Sequence, residues 1–404
     1  MYPTIYHALK DLIGLDLPFL KLINSFGFFV VLAFMAAAYT LSKELERKQG
    51  QGWFPPVKQK ISRGGDVSWT AYISSTLLGA VLGFKLVYIL FNADTALADP
   101  PSFLLSTQGS LIGALLIGGL FFYLKHREVT KEKEEYPERV TQEVLVSPQE
   151  HASALAVQAA IWGFIGAKLF YIFEDPNHIV TFFTEFSADS VLSGLTVFGG
   201  LILGAYGIFR YFKKNGIPPL VGLDATAPGF LLAYGIGRIG CHVSGDGDWG
   251  IANPNPKPEW LSWLPEHLWS YNYPNNVNAV IGYSPKGGYS GKMITEDMGL
   301  PIFDGYGTYL DPGVYPTPLY ELAIMLVFFS LLWSIRKRVH IAGVIFFLVL
   351  LMNGVERFFI EKIRVNDEFT LMGMKATQAE IISVLLVLTG LVGMFYLRKK
   401  GARI

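Results

Sequence analysis

Long apolar stretches alternate with polar or charged segments along most of the chain. Because a helix needs about 20 mostly apolar residues to cross a bilayer, each stretch of that length predicts one transmembrane helix. Nine such stretches can be distinguished, at 20–41, 69–91, 103–124, 153–173, 191–212, 221–242, 317–335, 341–361 and 380–397. The pattern predicts an all-α polytopic membrane protein with about nine transmembrane helices.

Two segments differ from this pattern. Residues 1–19 include two aspartates and lack a basic start, so we expect an interfacial segment lying on the membrane rather than a cleavable signal peptide. Residues 243–316 are rich in Gly, Pro, Asn and aromatic side chains, which suits the membrane–water interface. We expect them to form an irregular cap. The predicted helices lie before the cap, within 20–242, and after it, within 317–404.

Composition agrees with a membrane protein and excludes several other classes. Of the 404 residues, 51% are hydrophobic and 16% are charged, against about 25% charged in an average soluble domain. Lys and Arg number 33, as do Asp and Glu. The chain therefore lacks both the charge imbalance of a disordered protein and the basic excess of a nucleic-acid-binding protein. The single cysteine, Cys241, excludes an internal disulfide and a site of paired cysteines.

The basic residues are unevenly distributed between the two sides of the predicted membrane. If the N-terminus lies outside the cytoplasm, 21 Lys and Arg residues fall in inner segments and six in outer ones. Since inner loops carry the excess of Lys and Arg, we predict an outer N-terminus and a cytoplasmic C-terminus. The cap, residues 243–316, is then periplasmic.

An internal repeat relates the second and third predicted spans to the fourth and fifth. Two pairs of segments are similar: Gly83–Phe91 to Gly166–Glu174, and Gln108–Gly118 to Phe198–Gly207. We therefore predict a duplicated helical hairpin, at about 69–127 and 153–214. Its equivalent lysines, Lys85 and Lys168, either reach towards the headgroups or supply a cation for a lipid phosphate.

Charged residues inside the predicted spans are costly and are typical of functional sites. Arg238 lies about one turn inside the outer end of its span, before Asp246 and Asp248. A second set shares one helix face near the outer end of another span: Asn353, Arg357, Glu361 and Arg364. Because Arg binds phosphate through two parallel hydrogen bonds, Arg238 and Arg357 together predict a phosphate site. The alternative is a structural Arg–Glu pair between helices, the role that we expect for Glu356.

The start of the seventh span adds Tyr320 and Glu321 at the same depth. The residues alone thus predict a basic, carboxylate-bearing pocket open to the outer leaflet. Such a pocket fits an enzyme acting on a phospholipid headgroup, a lipid-binding scaffold or a small anion transporter. The transporter is disfavoured, because the inner halves of the spans hold no charged residue at depth apart from Asp224, near an inner end.

Five short motifs carry a resemblance to a known family. They are Gly237–Gly240 (GRIG), Thr196–Gly204 (TVFGGLILG), Tyr315–Glu321 (YPTPLYE), Asn353–Arg364 (NGVERFFIEKIR) and Gly166–Phe173 (GAKLFYIF). With these motifs the chain resembles the prolipoprotein diacylglyceryl transferases. The resemblance covers most of residues 150–365 and the first span. The hairpin at about 69–127 has no counterpart in the usual seven-span plan of that family.

The resemblance implies a transferase of the bacterial cytoplasmic (inner) membrane. The family moves a diacylglyceryl group from phosphatidylglycerol to the thiol of a lipobox cysteine, in the signal peptide of a lipoprotein precursor, and releases glycerol phosphate. Arg238 and Arg357 match the arginines taken to hold the lipid phosphate. Further residues expected around that phosphate are Arg364, Lys168, Gly199, Gly200 and Gly240. Neither a metal nor an organic cofactor is implied.

Departures from the family pattern concern the proton-handling residues. Phe26, Phe198 and Tyr315 stand where the family has Tyr, His and His. The catalytic set expected here therefore combines two residues that match the family, Tyr320 and Glu361, with a replacement group, His242, Asp246 and Asp248. In that set, a carboxylate beside His242 would give the histidine a useful titration range.

Three interpretations of these departures remain open. The protein is a divergent transferase, a paralogue acting on another headgroup or acceptor, or a catalytically altered lipid- or lipoprotein-binding component of a membrane assembly. We expect Cys241 to be a buried small residue rather than a nucleophile.

Overall fold

The computed structural model describes residues 1–64, 69–98, 103–104, 106–174, 178–180, 196–366, 368–371 and 374–400. Within these residues the chain is mostly helical. The helices are α1 (Ile5–Ile13), α2 (Ser25–Gly50), α3 (Trp69–Phe91), α4 (Ala93–Ala98), α5 (Leu111–Glu135), α6 (Pro148–Glu174), α7 (Val197–Lys214), α8 (Pro219–Ser244), α9 (Thr317–Ile335), α10 (Val344–Glu361) and α11 (Gln378–Lys400). Three small antiparallel sheets accompany them: β1 (Lys58–Arg63) with β2 (Val140–Leu145), β3 (Gly282–Ser284) with β4 (Tyr289–Met293) and β5 (Thr308–Asp311), and β6 (Glu368–Leu371) with β7 (Met374–Thr377).

Six of the described helices are long and apolar enough to cross a membrane: α2, α3, α6, α8, α9 and α11. The protein is therefore a multi-pass membrane protein. Three further predicted spans, 103–124, 191–212 and 341–361, coincide with α5, α7 and α10, which carry at least three charged residues in any 18-residue window. The count of nine spans stays a prediction. Residue 105 and residues 191–195, which belong to two of those predicted spans, lie outside the described part of the chain.

The chain divides into two compact units. The first comprises Met1–Pro55, His151–Ala156 and Phe209–Ile404, and the second comprises Pro56–Glu150 and Val157–Ile208. In the first unit, α8 packs against α2 and α9, and α10 packs against α11. Apolar side chains of α8, α9 and α10 form a buried cluster: Ala227, Leu231, Met325, Leu332, Ile345 and Val349. The helices that carry the predicted phosphate site therefore share one core.

A buried charge pair joins three helices of the first unit. The Asp224 carboxylate in α8 accepts hydrogen bonds from the backbone N–H groups of Gly343 and Phe346, both at 2.8 Å. Gly343 directly precedes α10 and Phe346 lies in its first turn. Because the first N–H groups of a helix have no acceptor within that helix, Asp224 caps α10. Lys48 in α2 lies 3.8 Å from the same carboxylate, and both side chains are fully buried.

The second unit contains the first of the two hairpins that the sequence predicts to be duplicates, and most of the second. Between α3 and α5, a Cβ atom built on Gly83 or Gly113 would lie within 2.3 Å of the carbonyl oxygen of the other glycine. Between α6 and α7, Gly166 and Gly199 approach each other in the same way, again within 2.3 Å. Equivalent N–H···O bonds, of 2.8 and 3.1 Å, flank the two contacts: Ser110 to Phe84, and Thr196 to Ala167. Matching contacts at equivalent positions are what a duplicated hairpin would show. The duplication itself stays a prediction.

Replacement of Gly83 by valine is expected to destabilise the α3–α5 hairpin by about 1–3 kcal/mol, because the new side chain meets a backbone carbonyl that cannot rotate away. The measurement is thermal unfolding of the purified full chain in detergent. Gly119→Val in α5 is the matched control, since nothing lies within 4 Å of a Cβ atom built there. Equal melting temperatures for the two variants would contradict the close contact.

Part of the cap, residues 243–316, has regular structure. β3, β4 and β5 form a three-stranded antiparallel sheet in which Ser284 pairs with Tyr289 and Ser290 with Asp311. Five buried side chains form an apolar cluster in and beside it: Trp249, Tyr273, Tyr289, Leu310 and Val314. The mostly helical structure is consistent with the predicted all-α membrane protein, but the cap is less irregular than predicted, because it contains this sheet. Strands of three to five residues are too short to leave a clear alternating pattern in the sequence.

Candidate active site

Arg238 lies in the last two turns of α8, and each of its guanidinium nitrogens has a partner. The Nε atom lies 2.9 Å from Oε2 of Glu321 in α9, and Nη2 donates to the hydroxyl of Tyr234 at 2.9 Å. The Nη1 atom forms an ion pair with Oδ2 of Asp248, which follows α8 in the chain. The side chain is 12% exposed. Arg238 thus connects α8 both to α9 and to the first residues of the cap.

Glu321 is the carboxylate at which two arginines meet. Its side chain is fully buried, and Oε1 accepts a hydrogen bond from Tyr234 at 3.0 Å and lies 3.4 Å from Nη1 of Arg357 in α10. The Nη2 atom of Arg357 lies 2.9 Å from Oε2 of Glu361, one turn further along α10. The interhelical Arg–Glu pair predicted for Glu356 is therefore formed by Glu321, and the assignment of Glu356 was wrong.

Asp248 binds a third arginine. Its Oδ1 atom lies 2.5 Å from Nη2 of Arg364, and its carbonyl oxygen accepts a hydrogen bond from Nη1 of the same residue. Burial alone would raise the pKa of Asp248, but the positive charges of Arg238 and Arg364 outweigh it and hold that pKa well below the usual value. Asp246 accepts a hydrogen bond from the Asp248 N–H at 3.2 Å. Burial and the negative charge of Asp248 raise the pKa of Asp246, so Asp246 is the more readily protonated of the two.

Backbone contacts hold the Asp248 segment against the ends of α9 and α10. The Gly250 N–H donates to the carbonyl oxygen of Tyr315 at 2.8 Å, and the Thr317 hydroxyl donates to that of Asp248 at 2.7 Å. A Cβ atom at Gly250 would lie 2.4 Å from the carbonyl oxygen of Ile363, so only glycine allows this approach. The position of Asp248 between two arginines is therefore fixed by the main chain.

The charges of this network are balanced. Three guanidinium groups face three carboxylates: Arg238, Arg357 and Arg364 against Glu321, Glu361 and Asp248. Because guanidinium binds phosphate in the same bidentate geometry as carboxylate, a phosphate can take the place of these carboxylates. The sequence prediction that arginines from two helices converge is in agreement with this geometry.

His242 is hydrogen-bonded to the cap. Its Nδ1 atom lies 3.1 Å from the hydroxyl of Tyr273, and its ring packs against the rings of Tyr271 and Tyr273. The carboxylate partner predicted for it, Asp246 or Asp248, is thus replaced by a phenol in the described contacts. Burial raises the pKa of Tyr273 well above its usual value, so this phenol stays protonated.

Tyr320 and Tyr315 contact neighbouring residues of the cap, Leu268 and Trp269. The Tyr320 hydroxyl donates to the carbonyl oxygen of Leu268 at 2.9 Å, which ties α9 to the cap. The ring of Tyr315 lies 6.0 Å from that of Trp269, edge to face. The Phe26 side chain is 40% exposed on α2. The side chain of Phe198 lies outside the described part of the structure.

The three glycines predicted to lie near the phosphate are at helix–helix contacts. A Cβ atom at Gly240 would lie 3.2 Å from the carbonyl oxygen of Phe26 in α2. In the second unit, one at Gly200 would lie 3.2 Å from the carbonyl oxygen of Gly163, and Gly199 makes the α6–α7 contact described above. The ammonium of Lys168, on α6, lies 4.8 Å from the centre of the Tyr171 ring. A role for these residues at a phosphate stays a prediction.

The predicted catalytic and phosphate-binding sets omit two members of the network, Tyr234 and Glu321, although the sequence does place Glu321 in the same predicted pocket. Both could have been found in the sequence. Tyr234 precedes Arg238 by four residues and so shares its helix face. Glu321 directly follows Tyr320, which the predicted set does include.

One group of side chains has the composition of a metal site. The ligand atoms of Cys241, Asp246 and Asp248 lie within 4.8 Å of one another. However, both carboxylate oxygens of Asp248 are bound by arginines, and the thiol of Cys241 lies 3.6 Å from one of them. A cation would have to displace two guanidinium groups, so the donor set favours an anion site over a metal site.

Comparison with known proteins gives consistent matches. The family profile of prolipoprotein diacylglyceryl transferase matches residues 136–396, beginning directly after α5. The phosphatidylglycerol–prolipoprotein diacylglyceryl transferase of Staphylococcus carnosus is 29% identical over 247 residues, 60% of this chain and 73% of that protein. The enzymes of the same name from Staphylococcus aureus and Corynebacterium diphtheriae are 28% and 26% identical, covering 65% and 60% of this chain and 80% and 76% of theirs.

The matched range contains the complete arginine network, from Tyr234 in α8 to Arg364 after α10. It extends over well more than half of the chain. By this match, the chain belongs to the prolipoprotein diacylglyceryl transferase family.

Proposed function

We propose that this protein transfers the diacylglyceryl group of phosphatidylglycerol, or of a related phospholipid, to the lipobox cysteine thiol of a lipoprotein precursor. The observation that carries the proposal is the convergence of Arg238, Arg357 and Arg364 on buried carboxylates. The lipid phosphate would replace those carboxylates at the arginines and be held there while its ester bond to the diacylglyceryl carbon breaks. The alternative, a catalytically altered lipid- or lipoprotein-binding component of a membrane assembly, is not favoured, because the matched relatives carry the name of the transferase.

The transfer step requires a base and an anion site. The thiol sulfur forms a bond to the diacylglyceryl carbon, the bond from that carbon to the phosphate oxygen breaks, and its electron pair leaves with glycerol phosphate. We propose His242 as the acceptor of the thiol proton. For this role Nδ1 must carry a hydrogen and donate it to the oxygen of Tyr273, 3.1 Å away, leaving Nε2 free to accept.

The remaining predicted catalytic residues stabilise the arrangement of the arginines and the cap. Asp248 and Glu361 orient arginines, and Asp246 supports the Asp248 main chain. Tyr320 fixes the cap against α9. The phosphate-side roles of Lys168, Gly199, Gly200 and Gly240 are part of the same proposal and rest on the resemblance of their motifs.

We also propose nine membrane spans, an outer N-terminus and a cytoplasmic C-terminus in the bacterial inner membrane. The excess of Lys and Arg in the inner segments supports this orientation. The network lies at the ends of α8 and α10 next to the cap, so it would face the outer leaflet. A lipoprotein precursor would present its signal peptide there.

The test is transfer by the wild-type protein. The full chain is expressed in a bacterium depleted of its own transferase, together with a reporter precursor that carries a lipobox cysteine. The reporter is expected to gain the mass of one diacylglyceryl group, and a reporter with serine in place of that cysteine is expected to gain nothing. If the protein accumulates in the membrane and the reporter stays unmodified, the proposed function is wrong. Vesicles of phosphatidylglycerol, compared with vesicles of other phospholipids, identify the donor.

A further inference from the structure

Glu356 in α10 is a buried carboxyl group that has no hydrogen-bond partner in the described part of the chain. Its side chain is 3% exposed. Neither Oε1 nor Oε2 has a hydrogen-bond partner among the described residues. An ionised carboxylate in such surroundings is far too costly to persist, so a buried group of this kind carries a proton. The described structure therefore holds a neutral acid at this position.

The face of α10 that carries Glu356 is directed towards α8 and α9. Val349 lies seven residues earlier on the same face, and it clusters with Met325 of α9 and Leu231 of α8. Met325 lies one turn after Glu321 in α9. Gly354, on the opposite side of α10, contacts α11. Glu356 is thus at the level of the arginine network and on the side that faces it.

The charged groups that act on Glu356 lie on its own helix, on α8 and α9, and directly after α10. Among them Glu321 of α9 acts on it most strongly, followed by Arg357 on its own helix, then by Arg238 of α8 and by Arg364. Tyr234 of α8 is also within electrostatic range. The charged groups among them, Glu321 and the three arginines, all form ion pairs.

A bound phosphate would change how these charged groups are paired. Glu321 is fully buried and is held by Arg238 and Arg357. When the two arginines turn to the phosphate, Glu321 keeps only the hydrogen bond from Tyr234 at 3.0 Å. A buried anion with one hydrogen bond is unfavourable, and a neighbouring carboxylic acid can supply a second.

We propose, on the basis of the proposed function, that the protonated carboxyl of Glu356 donates a hydrogen bond to Glu321 when the lipid phosphate takes over its arginines. No covalent bond changes, and the proton stays between the two carboxyl groups. Glu356 is then a positioning residue. It lowers the energetic cost of phospholipid binding without contacting the phospholipid. Its neutral form is required, so binding weakens as rising pH removes the proton and leaves two negative carboxylates side by side.

Two replacements of similar size test this role. Glu356→Gln keeps a hydrogen-bond donor and cannot ionise, whereas Glu356→Leu has no donor. We expect Glu356→Leu to raise KM for phosphatidylglycerol about ten- to a hundredfold at nearly unchanged kcat, the range for a lost hydrogen bond to a charged group. Glu356→Gln is expected to retain an affinity close to the wild-type one and to lose the rise in KM at alkaline pH. Glu134→Leu, at an exposed acid of α5, is the matched control.

The readouts are kinetics in vesicles from about pH 6 to about pH 9 and the phosphatidylglycerol that co-purifies with each variant. The second readout needs no transfer, so it tests Glu356 even if the wild-type protein proves inactive and the proposed function fails. A Glu356→Leu variant with wild-type affinity would overturn the inference. So would a Glu356→Gln variant that either loses as much affinity as Glu356→Leu or retains the alkaline rise in KM. The pH profile of Glu356→Gln decides the question if Glu356→Leu does not accumulate.

Discussion

Replacement of Arg238 by alanine is expected to lower kcat/KM for diacylglyceryl transfer by about 10²–10³-fold, the loss typical when one donor to a developing negative charge is removed. The physical reason is twofold. The variant lacks the guanidinium that would hold the lipid phosphate, and it leaves Glu321 with Arg357, at 3.4 Å, as its one arginine partner among the described residues. The measurement is the initial rate with phosphatidylglycerol vesicles and a lipobox peptide, normalised to the amount of inserted protein.

Two further variants test whether the loss of kcat/KM is specific to the guanidinium of Arg238. Arg238→Lys keeps the positive charge but loses the bidentate geometry, so we expect a smaller but clear loss of kcat/KM. Arg210→Ala removes an exposed arginine of α7 and is expected to retain wild-type activity. If Arg238→Ala were as active as Arg210→Ala, the phosphate would be bound elsewhere.

Replacement of Asp224 by alanine is expected to be the most destabilising single change, at about 3–5 kcal/mol. It leaves the fully buried ammonium of Lys48 without its carboxylate and leaves two backbone N–H groups of α10 without an acceptor. The free energy of unfolding can be measured by denaturant titration of the purified full chain in detergent micelles.

Asp224→Asn and Asp304→Ala are the controls for this stability effect. Asparagine retains one oxygen that can cap α10, so its loss of stability is expected to be smaller than that of alanine. Asp304 is an exposed residue of the cap, and its replacement is expected to change stability by less than about 0.5 kcal/mol. Equal stability of Asp224→Ala and Asp304→Ala would show that the buried pair contributes nothing.

The hydrophobic pattern predicted the existence of the helices better than their ends. The predicted spans 69–91 and 317–335 coincide with α3 and α9, because turn-forming or charged residues border both. By contrast, α2 and α5 continue to Gly50 and Glu135, well beyond the last apolar residues. Hydropathy indicates which residues can lie in lipid. A helix can extend beyond those residues, because several charged side chains also favour the helical conformation.

The candidate site was predicted in part. The depth of Arg238 and Arg357 in their spans and the motifs around them were sufficient to predict the family, which the comparisons confirm. The role of Glu321 was not predicted, because it depends on how α9 packs against α8 and α10. The same holds for Glu356, since a sequence cannot show which of several acidic residues on one helix finds an arginine.

The ion pairs that close the arginine network have a consequence for selectivity. Glu321 and Asp248 belong to the same folded chain as the arginines that they bind. They therefore compete with any incoming anion at a high effective concentration. Free phosphate or chloride from the medium brings no other binding energy to that competition. A phospholipid brings two acyl chains whose burial adds to the binding of its phosphate. Under the proposed function, these carboxylates would exclude anions that are not attached to a lipid.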